Sequence, residues 1–496
     1  MSIERCSMND AAMLRSLQIM RRILKMAEEK KYQLGSDEYA AMPVPMWRQI
    51  GFSFCEIGGI PLYTMMLAYM TFFYSDVLKV NVGVIGVLTL ISRIFDGISD
   101  IVAGNIVDHT HTSKGSAKPW IIRSGILMVI CYFILFTVPN VGEVGKYIYF
   151  FISYNFGMTI AYTLWNGAAN ALPTYATTDI KSRSSMSAVR LIVAFIGQLV
   201  FAFAWLRMVA YFGNDQRAWI KSAAILGVIA FFATLVMYFT AEEHVIPSKL
   251  TGVKEDIPLG KAMLTVLKNK YWWIILGMWF INCLHQTTTM TVGTYYAEHI
   301  LHDVKIAGNI MVYHNIAAIV SMLIIPYLLQ KGVKKQNVMI FSSIIYIIGA
   351  LVPIIAGGNM TTTILIVSLA FRGAAQGLNN SVVMGMLSDT VEYGEWKSGV
   401  RTQAVTVSAS MVGLKLGSGI GTALTGVILS SAGYDGALAV QPASALTSIN
   451  FLFVYVPLII YIIQLILSLI YKLDNQMPQI LKDLDVRRAE RKAQAE

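Results

Sequence analysis

Twelve long apolar runs constrain the fold more than any other feature of the sequence. They lie near residues 49–76, 82–106, 120–139, 146–169, 185–211, 218–241, 271–298, 305–330, 336–357, 361–387, 402–431 and 447–471. A membrane-spanning helix needs roughly 20 apolar residues. Only 14% of the residues are charged, whereas a soluble protein carries about 25%. The sequence therefore predicts an all-α membrane protein with 12 transmembrane helices. It excludes a disordered, fibrous or disulfide-built protein and argues against nucleic-acid binding.

A hydrophilic segment divides these runs into two sets of six. Residues 242–270 predict a cytoplasmic linker between an N-terminal six-helix bundle at 48–241 and a C-terminal six-helix bundle at 271–472. Two such halves are typical of the major facilitator fold. Residues 1–47 predict a cytoplasmic tail, either with an amphipathic helix or without structure, and 473–496 predict a second cytoplasmic tail.

Lysine and arginine concentrate in the tails and in alternate loops. Of the 39, 14 lie in the tails and 15 in alternate loops. Positive charge accumulates on the cytoplasmic side of membrane proteins. We therefore predict a multi-pass protein of the inner (plasma) membrane with both termini in the cytoplasm, and we expect a monomer.

Charged residues inside the second run form the strongest candidate site. A charge in the middle of a span costs about 2.5–3.5 kcal/mol, so each one indicates a function. Arg93, Asp96 and Asp100 project from one helical face, and Ser99 adds a hydroxyl beside them. These oxygen atoms suit Na⁺. Alternatively, the two carboxylates share a proton, or they form a structural ion-pair network with Arg93.

Other polar side chains in the spans also indicate a functional or structural role. The further bases are Arg190, Arg372 and Lys415, and the acids available at membrane depth are Glu56, Asp96 and Asp100. We predict a charge network of Arg93, Lys415, Glu56 and Arg372. His285 either binds substrate or packs between helices. Trp165 belongs to a set of aromatic residues on which a sugar ring could stack, although such residues also occur at membrane interfaces.

Charged residues at the cytoplasmic helix ends are candidates for gating. Asp108 and Lys118 flank the loop between the second and third runs. These two residues either form a latch that holds the two halves in one conformation or belong to an ordinary basic loop. Asp389, Glu392 and Arg401 flank the loop after the tenth run.

Three stretches resemble the glycoside–pentoside–hexuronide:cation symporters of the major facilitator superfamily, a family that includes melibiose permease. They are R-x-x-D-x-x-x-D at 93–100 with K-P-W at 118–120, T-D at 178–179 with its following arginines, and D-T-V-E-Y-G-E-W-K-x-G-V-R at 389–401. The resemblance covers about residues 47–475. It implies a cation site formed by Asp96, Ser99, Asp100 and Thr163. It also implies a sugar site at or near Asn166, Asn170, Arg190 and Lys415.

The resemblance implies symport of a glycoside with Na⁺ or H⁺ by alternating access, without a cofactor. Asn166 and Asn170 stand where melibiose permease has Asp and Trp, and Gly59-Ile60 replaces its Lys-Asp pair. A galactoside pocket is therefore not preserved. The loss of these acids would suit an anionic sugar such as a hexuronide. A lysolipid or other small-solute carrier and a non-transporting sensor remain alternatives. The sequence shows neither a phosphate-binding loop nor a histidine cluster, so we do not expect an enzyme.

Overall fold

The described part of the chain consists of helices joined by loops. The computed structural model describes residues 41–108, 110, 112, 115–244, 259–357, 361–400, 402–438 and 440–495. The predicted amphipathic helix near the N-terminus lies outside these residues.

Six helices form the first bundle. They are α1 (Met46–Val77), α2 (Val82–Asp108), α3 (Lys118–Ile134), α4 (consecutive segments Glu143–Asn155, Phe156–Tyr162 and Thr163–Ala176), α5 (Ile180–Phe212) and α6 (Gln216–Thr240). The middle segment of α4 and two segments of α1 are π-helical.

A short helix, α7 (Leu259–Leu267), precedes the second bundle. The second bundle contains α8 (Lys270–His299), α9 (Ile306–Gln330), α10 (Lys335–Ala356), α11 (Thr362–Ser398), α12 (Gln403–Ser431) and α13 (consecutive segments Ala443–Asn450, Phe451–Tyr455 and Val456–Ile470). A final helix, α14 (Met477–Ala495), follows it. Among the described helices, eight are long and apolar enough to cross a membrane. The architecture is the all-α major facilitator fold, with two six-helix bundles.

Local sequence signals set several helix ends. The Asp215 carboxylate accepts a hydrogen bond from the Ala218 N–H at the start of α6 (2.8 Å), and Asn269 and Thr361 cap α8 and α11 in the same way. These side chains satisfy N–H groups that the first helical turn leaves without partners. Gly399 ends α11 with a left-handed φ of 71°, a conformation that glycine adopts at little cost.

Three helix pairs join the bundles: α2 packs on α12, α5 on α9, and α1 on α8. Glycine allows the closest of these approaches. A Cβ atom at Gly308 would lie 2.2 Å from the Ala202 carbonyl oxygen, and one at Gly426 would lie 2.6 Å from the Val82 carbonyl oxygen. Both contacts lie at the end that carries the α1–α2, α5–α6 and α12–α13 loops. The charge distribution predicts that this end faces outside, and we call it the outer end.

Candidate cation and substrate site

The predicted cation site lies where α2 meets α12 near the middle of both helices. Lys415 Nζ of α12 lies 2.6 Å from Asp100 Oδ2 and 3.5 Å from Asp96 Oδ2, and it donates to the Asp96 carbonyl oxygen at 2.6 Å. Arg93 Nη1 donates to Asp96 Oδ2 at 3.1 Å. Two carboxylates and two bases therefore form one network, and Lys415 joins the bundles through it.

Burial distinguishes the two carboxylates of this network. Asp96 is 3% exposed, whereas the Asp100 side chain is 47% exposed. Asp96 is held by Arg93 and Lys415, so its charge is compensated inside the protein. Asp100 has Lys415 as its ion-pair partner and also reaches solvent. An entering cation would therefore meet Asp100 first.

Hydroxyl groups from α2 (Ser99) and α4 (Thr163) complete the oxygen cluster. Thr163 Oγ1 donates to Asp96 Oδ1 at 3.3 Å, and Ser99 Oγ lies 3.4 Å from Thr163 Oγ1. Thr163 directly follows the π-helical segment Phe156–Tyr162, and π-helical turns are frequent at functional sites. All four residues of the predicted cation site are thus close together. Oxygen ligands of this kind suit a hard monovalent cation or a shared proton.

Asn166, Asn170 and Arg190 of the predicted sugar site form a second polar cluster in the first bundle, whereas Lys415 lies at the cation site. Arg190 of α5 pairs with Glu56 of α1. Its remaining nitrogens donate to Asn170 Oδ1 (2.7 Å) and Asn166 Oδ1 (3.2 Å). Asn170 is exposed, and Arg190 and Asn166 are partly exposed. Amide and guanidinium groups in this arrangement can donate to, or accept from, the hydroxyl groups of a sugar.

Two expected roles differ from the structure. Trp165, predicted to contact the sugar, is 2% exposed and packs against Gly59 and Gly125 inside the first bundle, so it is a core residue in this conformation. Arg372, predicted to pair with an acid, instead donates to Tyr346 Oη at 2.9 Å and to the Phe453 carbonyl oxygen at 3.3 Å. The prediction of an acidic partner for Arg372 is therefore wrong. The sequence misled because it shows depth but not which helix faces which.

His285 is buried in the second bundle. Its ring contacts Tyr346 Oη (2.9 Å from Nε2) and Thr289 Oγ1 (3.2 Å from Nδ1). Both partners belong to the second bundle, so His285 links its helices. It also lines a small cavity between α8, α9 and α11. The structure therefore shows the packing role, and substrate binding by His285 stays a prediction.

Two of the candidate gating residues, Lys118 and Asp389, form contacts within single bundles. Lys118 Nζ donates to the Ala241 carbonyl oxygen (2.7 Å) in the first bundle, and Lys335 pairs with Asp389 (2.7 Å) in the second. Lys118 thus makes no latch between halves through these contacts. The Asp108 side chain and Arg401 lie outside the described residues. Glu392 lies in the last turns of α11, and its gating role stays a prediction.

A carboxylate that the sequence did not single out fixes the start of α3. Glu243 accepts hydrogen bonds from the backbone N–H groups of Ser116 (2.7 Å), Ala117 (2.9 Å) and Lys118 (2.6 Å). Negative charge at a helix N-terminus is favourable. Burial nevertheless raises the pKa of Glu243 above its ordinary value, and the three N–H donors oppose that shift.

The outer end is closed by a polar network between the bundles. Tyr434 Oη donates to Asp76 Oδ1 at 2.6 Å, His299 Nε2 lies 2.8 Å from Tyr434 Oη, and Ser75 Oγ lies 2.8 Å from Tyr295 Oη. Sequence reasoning missed this network. Asp76 at the end of the first run was the available signal, but its partners Tyr434 and His299 are more than 200 residues away along the chain.

Known proteins resemble this chain over most of its length. A family profile described as "MFS/sugar transport protein" matches residues 51–475. The chain is 29% identical over 461 residues to the "Isoprimeverose transporter" of Lactiplantibacillus pentosus, which covers 91% of this chain and 94% of the relative. It is 27% identical over 433 residues to the "Putative glycoside/cation symporter YagG" of Escherichia coli (strain K12), and this match covers 86% of this chain and 91% of the relative.

A solved structure has the same fold. It is a bacterial homolog of the human lysosomal transporter Spinster in an inward-facing and unoccupied conformation. The TM-score is 0.62 at 13% identity, and the match covers 88% of this chain and 98% of that chain. Identity this low supports the fold alone.

Proposed function

The chain belongs to the MFS/sugar transport protein family, and from this premise we propose that it is a symporter that moves a glycoside together with Na⁺ or H⁺. The observation that carries the proposal is the contact of Lys415 on α12 with Asp96 and Asp100 on α2. An ion-binding group on one bundle and a competing base on the other give the cation a direct effect on the contact between bundles.

The cation acts by replacing Lys415 as the partner of the carboxylates. Two carboxylates with one base have a net negative charge that favours a cation, whereas the Lys415 contact neutralises it. Lys415 and an entering cation therefore compete for Asp100, and binding weakens the Lys415 bridge. This competition couples cation binding to the relative position of the two bundles.

The sugar binds beside this site in the first bundle. Asn166, Asn170 and Arg190 supply exposed or partly exposed polar groups for its hydroxyls. The closed outer network and the exposure of Asp100 and Asn170 support an inward-facing conformation. In the outward-facing conformation, the Tyr434–Asp76 contact would have to separate.

The family and the spans identify a multi-pass membrane carrier rather than an enzyme. We extend the proposal to its setting: an inner (plasma) membrane, both termini in the cytoplasm, a monomer, and no cofactor besides the coupling ion. The asymmetry of lysine and arginine between alternate loops supports the orientation.

The test is uptake of radiolabelled glycosides, including isoprimeverose, by proteoliposomes that contain the purified protein. One cation that crosses about 100 mV releases about 2.3 kcal/mol, which supports a roughly 50-fold sugar gradient at about 1.4 kcal/mol per decade. Uptake driven by a Na⁺ gradient at fixed pH would assign Na⁺, and uptake driven only by a pH gradient would assign H⁺. Transport of lysolipid with no flux of any glycoside would contradict the proposal.

A further inference from the structure

Among the residues that the structure describes, one buried base in the second bundle, Arg372, has no acidic partner. Away from the helix ends, the spans contain three acids (Glu56, Asp96, Asp100) and four bases (Arg93, Arg190, Arg372, Lys415). The structure pairs the three acids with the other three bases. Residues 304–388 contain no Asp or Glu at all. Arg372 therefore has a positive charge that the spans leave uncompensated.

The described residues around Arg372 offer it only neutral groups. Its side chain is 1% exposed and is held by Tyr346 Oη and the Phe453 carbonyl oxygen, with its guanidinium over both aromatic rings. Among the described residues, its Nη1 atom has no hydrogen-bond partner. An ion that is buried without a counter-ion is costly. The site would therefore gain free energy from an anion.

Hydrogen bonds connect this charge to a cavity. Arginine can only donate, so Tyr346 Oη accepts from Arg372, and the same hydroxyl lies 2.9 Å from His285 Nε2. The other ring nitrogen of His285, Nδ1, lies 3.2 Å from Thr289 Oγ1. Both His285 and Thr289 line the cavity. This relay of polar contacts therefore links the Arg372 guanidinium to the cavity wall.

The cavity that the relay reaches has the size of a small polar group. Its interior is about 40 Å³, and His285 and Thr289 line it together with His314. A single water needs about 10–15 Å³ by this measure. Leu369 and Gln376 also line it, and they lie on the same face of α11 as Arg372, three residues before and four after it. Among the described residues, His314 Nε2 has no partner.

We propose that this cavity between α8, α9 and α11 is an anion subsite that binds the carboxylate of an acidic sugar. The proposal rests on the symporter function proposed above and names its substrate class as a uronide. Arg372 supplies the charge, Thr289 and His314 face the ligand, and Tyr346 and His285 are positioning residues. The cavity admits a carboxylate but not a sugar ring, so the ring must lie outside it, toward the first bundle.

Binding can be measured without transport. We would titrate the purified full-length protein in detergent with methyl β-D-glucuronide and with its uncharged amide, which has the same shape. A hydrogen bond to a charged group contributes about 1.5–3 kcal/mol, so the wild type should bind the uronide about 10- to 150-fold more tightly than the amide. Arg372→Gln should reduce this ratio to about one, and Arg372→Lys should give an intermediate ratio.

Matched variants separate charge from folding. Arg207→Gln removes an arginine that bonds Asn309 at the outer end, and it should keep the wild-type ratio. Thr289→Val keeps Arg372 and should lower the ratio several-fold, so the proposal stays testable if Arg372→Gln does not fold. Equal binding of uronide and amide by the wild type would overturn the subsite, as would a ratio unchanged in folded Arg372→Gln. If the subsite is overturned in either way, cation-driven uptake of neutral glycosides would still support the symporter function.

Discussion

The two bases at the α2 site should differ in their effect on stability because their partners differ in burial. Arg93 and Asp96 have side chains only 2% and 4% exposed, and breaking a buried pair costs about 3–5 kcal/mol. Arg93→Met should therefore lower the free energy of unfolding by about that amount. Lys415 pairs at 2.6 Å with Asp100, whose side chain is 47% exposed. Water can replace Lys415 there.

The magnitude for Lys415 follows from the geometry. Two unit charges 2.6 Å apart interact by about 1.6 kcal/mol at the dielectric constant of water, and exposed pairs retain about 1 kcal/mol or less. Asp96 keeps its bond from Arg93 when Lys415 is removed. Lys415→Met should therefore reduce the free energy of unfolding by about 1–2 kcal/mol, which is less than the Arg93→Met effect.

The assay is equilibrium unfolding of purified variants in mixed detergent micelles, with Lys221→Met as the control because Lys221 is exposed. Lys415→Met combined with Asp100→Asn should restore most of the loss, since the stranded carboxylate is then neutral. Combination with Asp96→Ala should not, because it strands Arg93. Equal losses for Lys415→Met and Arg93→Met would refute this assignment of partners. So would a loss in Lys415→Met that Asp96→Ala restores and Asp100→Asn does not.

Three further outcomes are expected. Asp100→Asn should abolish uphill sugar accumulation in vesicles but leave sugar binding measurable, and accumulation equal to wild type would make Asp100 structural. A Cβ at Gly436 would lie 2.1 Å from the Ser75 carbonyl oxygen, so Gly436→Ala should loosen the outer end and speed hydrogen exchange there, unlike Gly142→Ala, which has open space. Burial raises the pKa of Glu243, so its contribution to stability is present below the ordinary pKa and is lost as pH rises through the folded-state value. Glu243→Gln should weaken the dependence of the melting temperature on pH between the ordinary pKa of Glu243 and its raised folded-state pKa. An unchanged pH dependence would contradict the burial argument.

Local patterns determined the helices and the α2 residues of the cation site. Apolar runs identify spans because a bilayer requires backbone hydrogen bonds to be satisfied within each helix. The spacing of Arg93, Asp96 and Asp100 places them on one face because the helical period is fixed. These features depend on residues close in the sequence, so the sequence alone was sufficient for them.

Only the tertiary structure decided which charges meet. Lys415 and Asp96 are 319 residues apart, and no local pattern indicates that α12 faces α2. The same limit hid the lack of an acid near Arg372 and the packing of Trp165 inside the first bundle. Residue type and helical depth show that a charge needs a partner. Helix packing, which is set by the shape of whole bundle faces, determines which partner it finds.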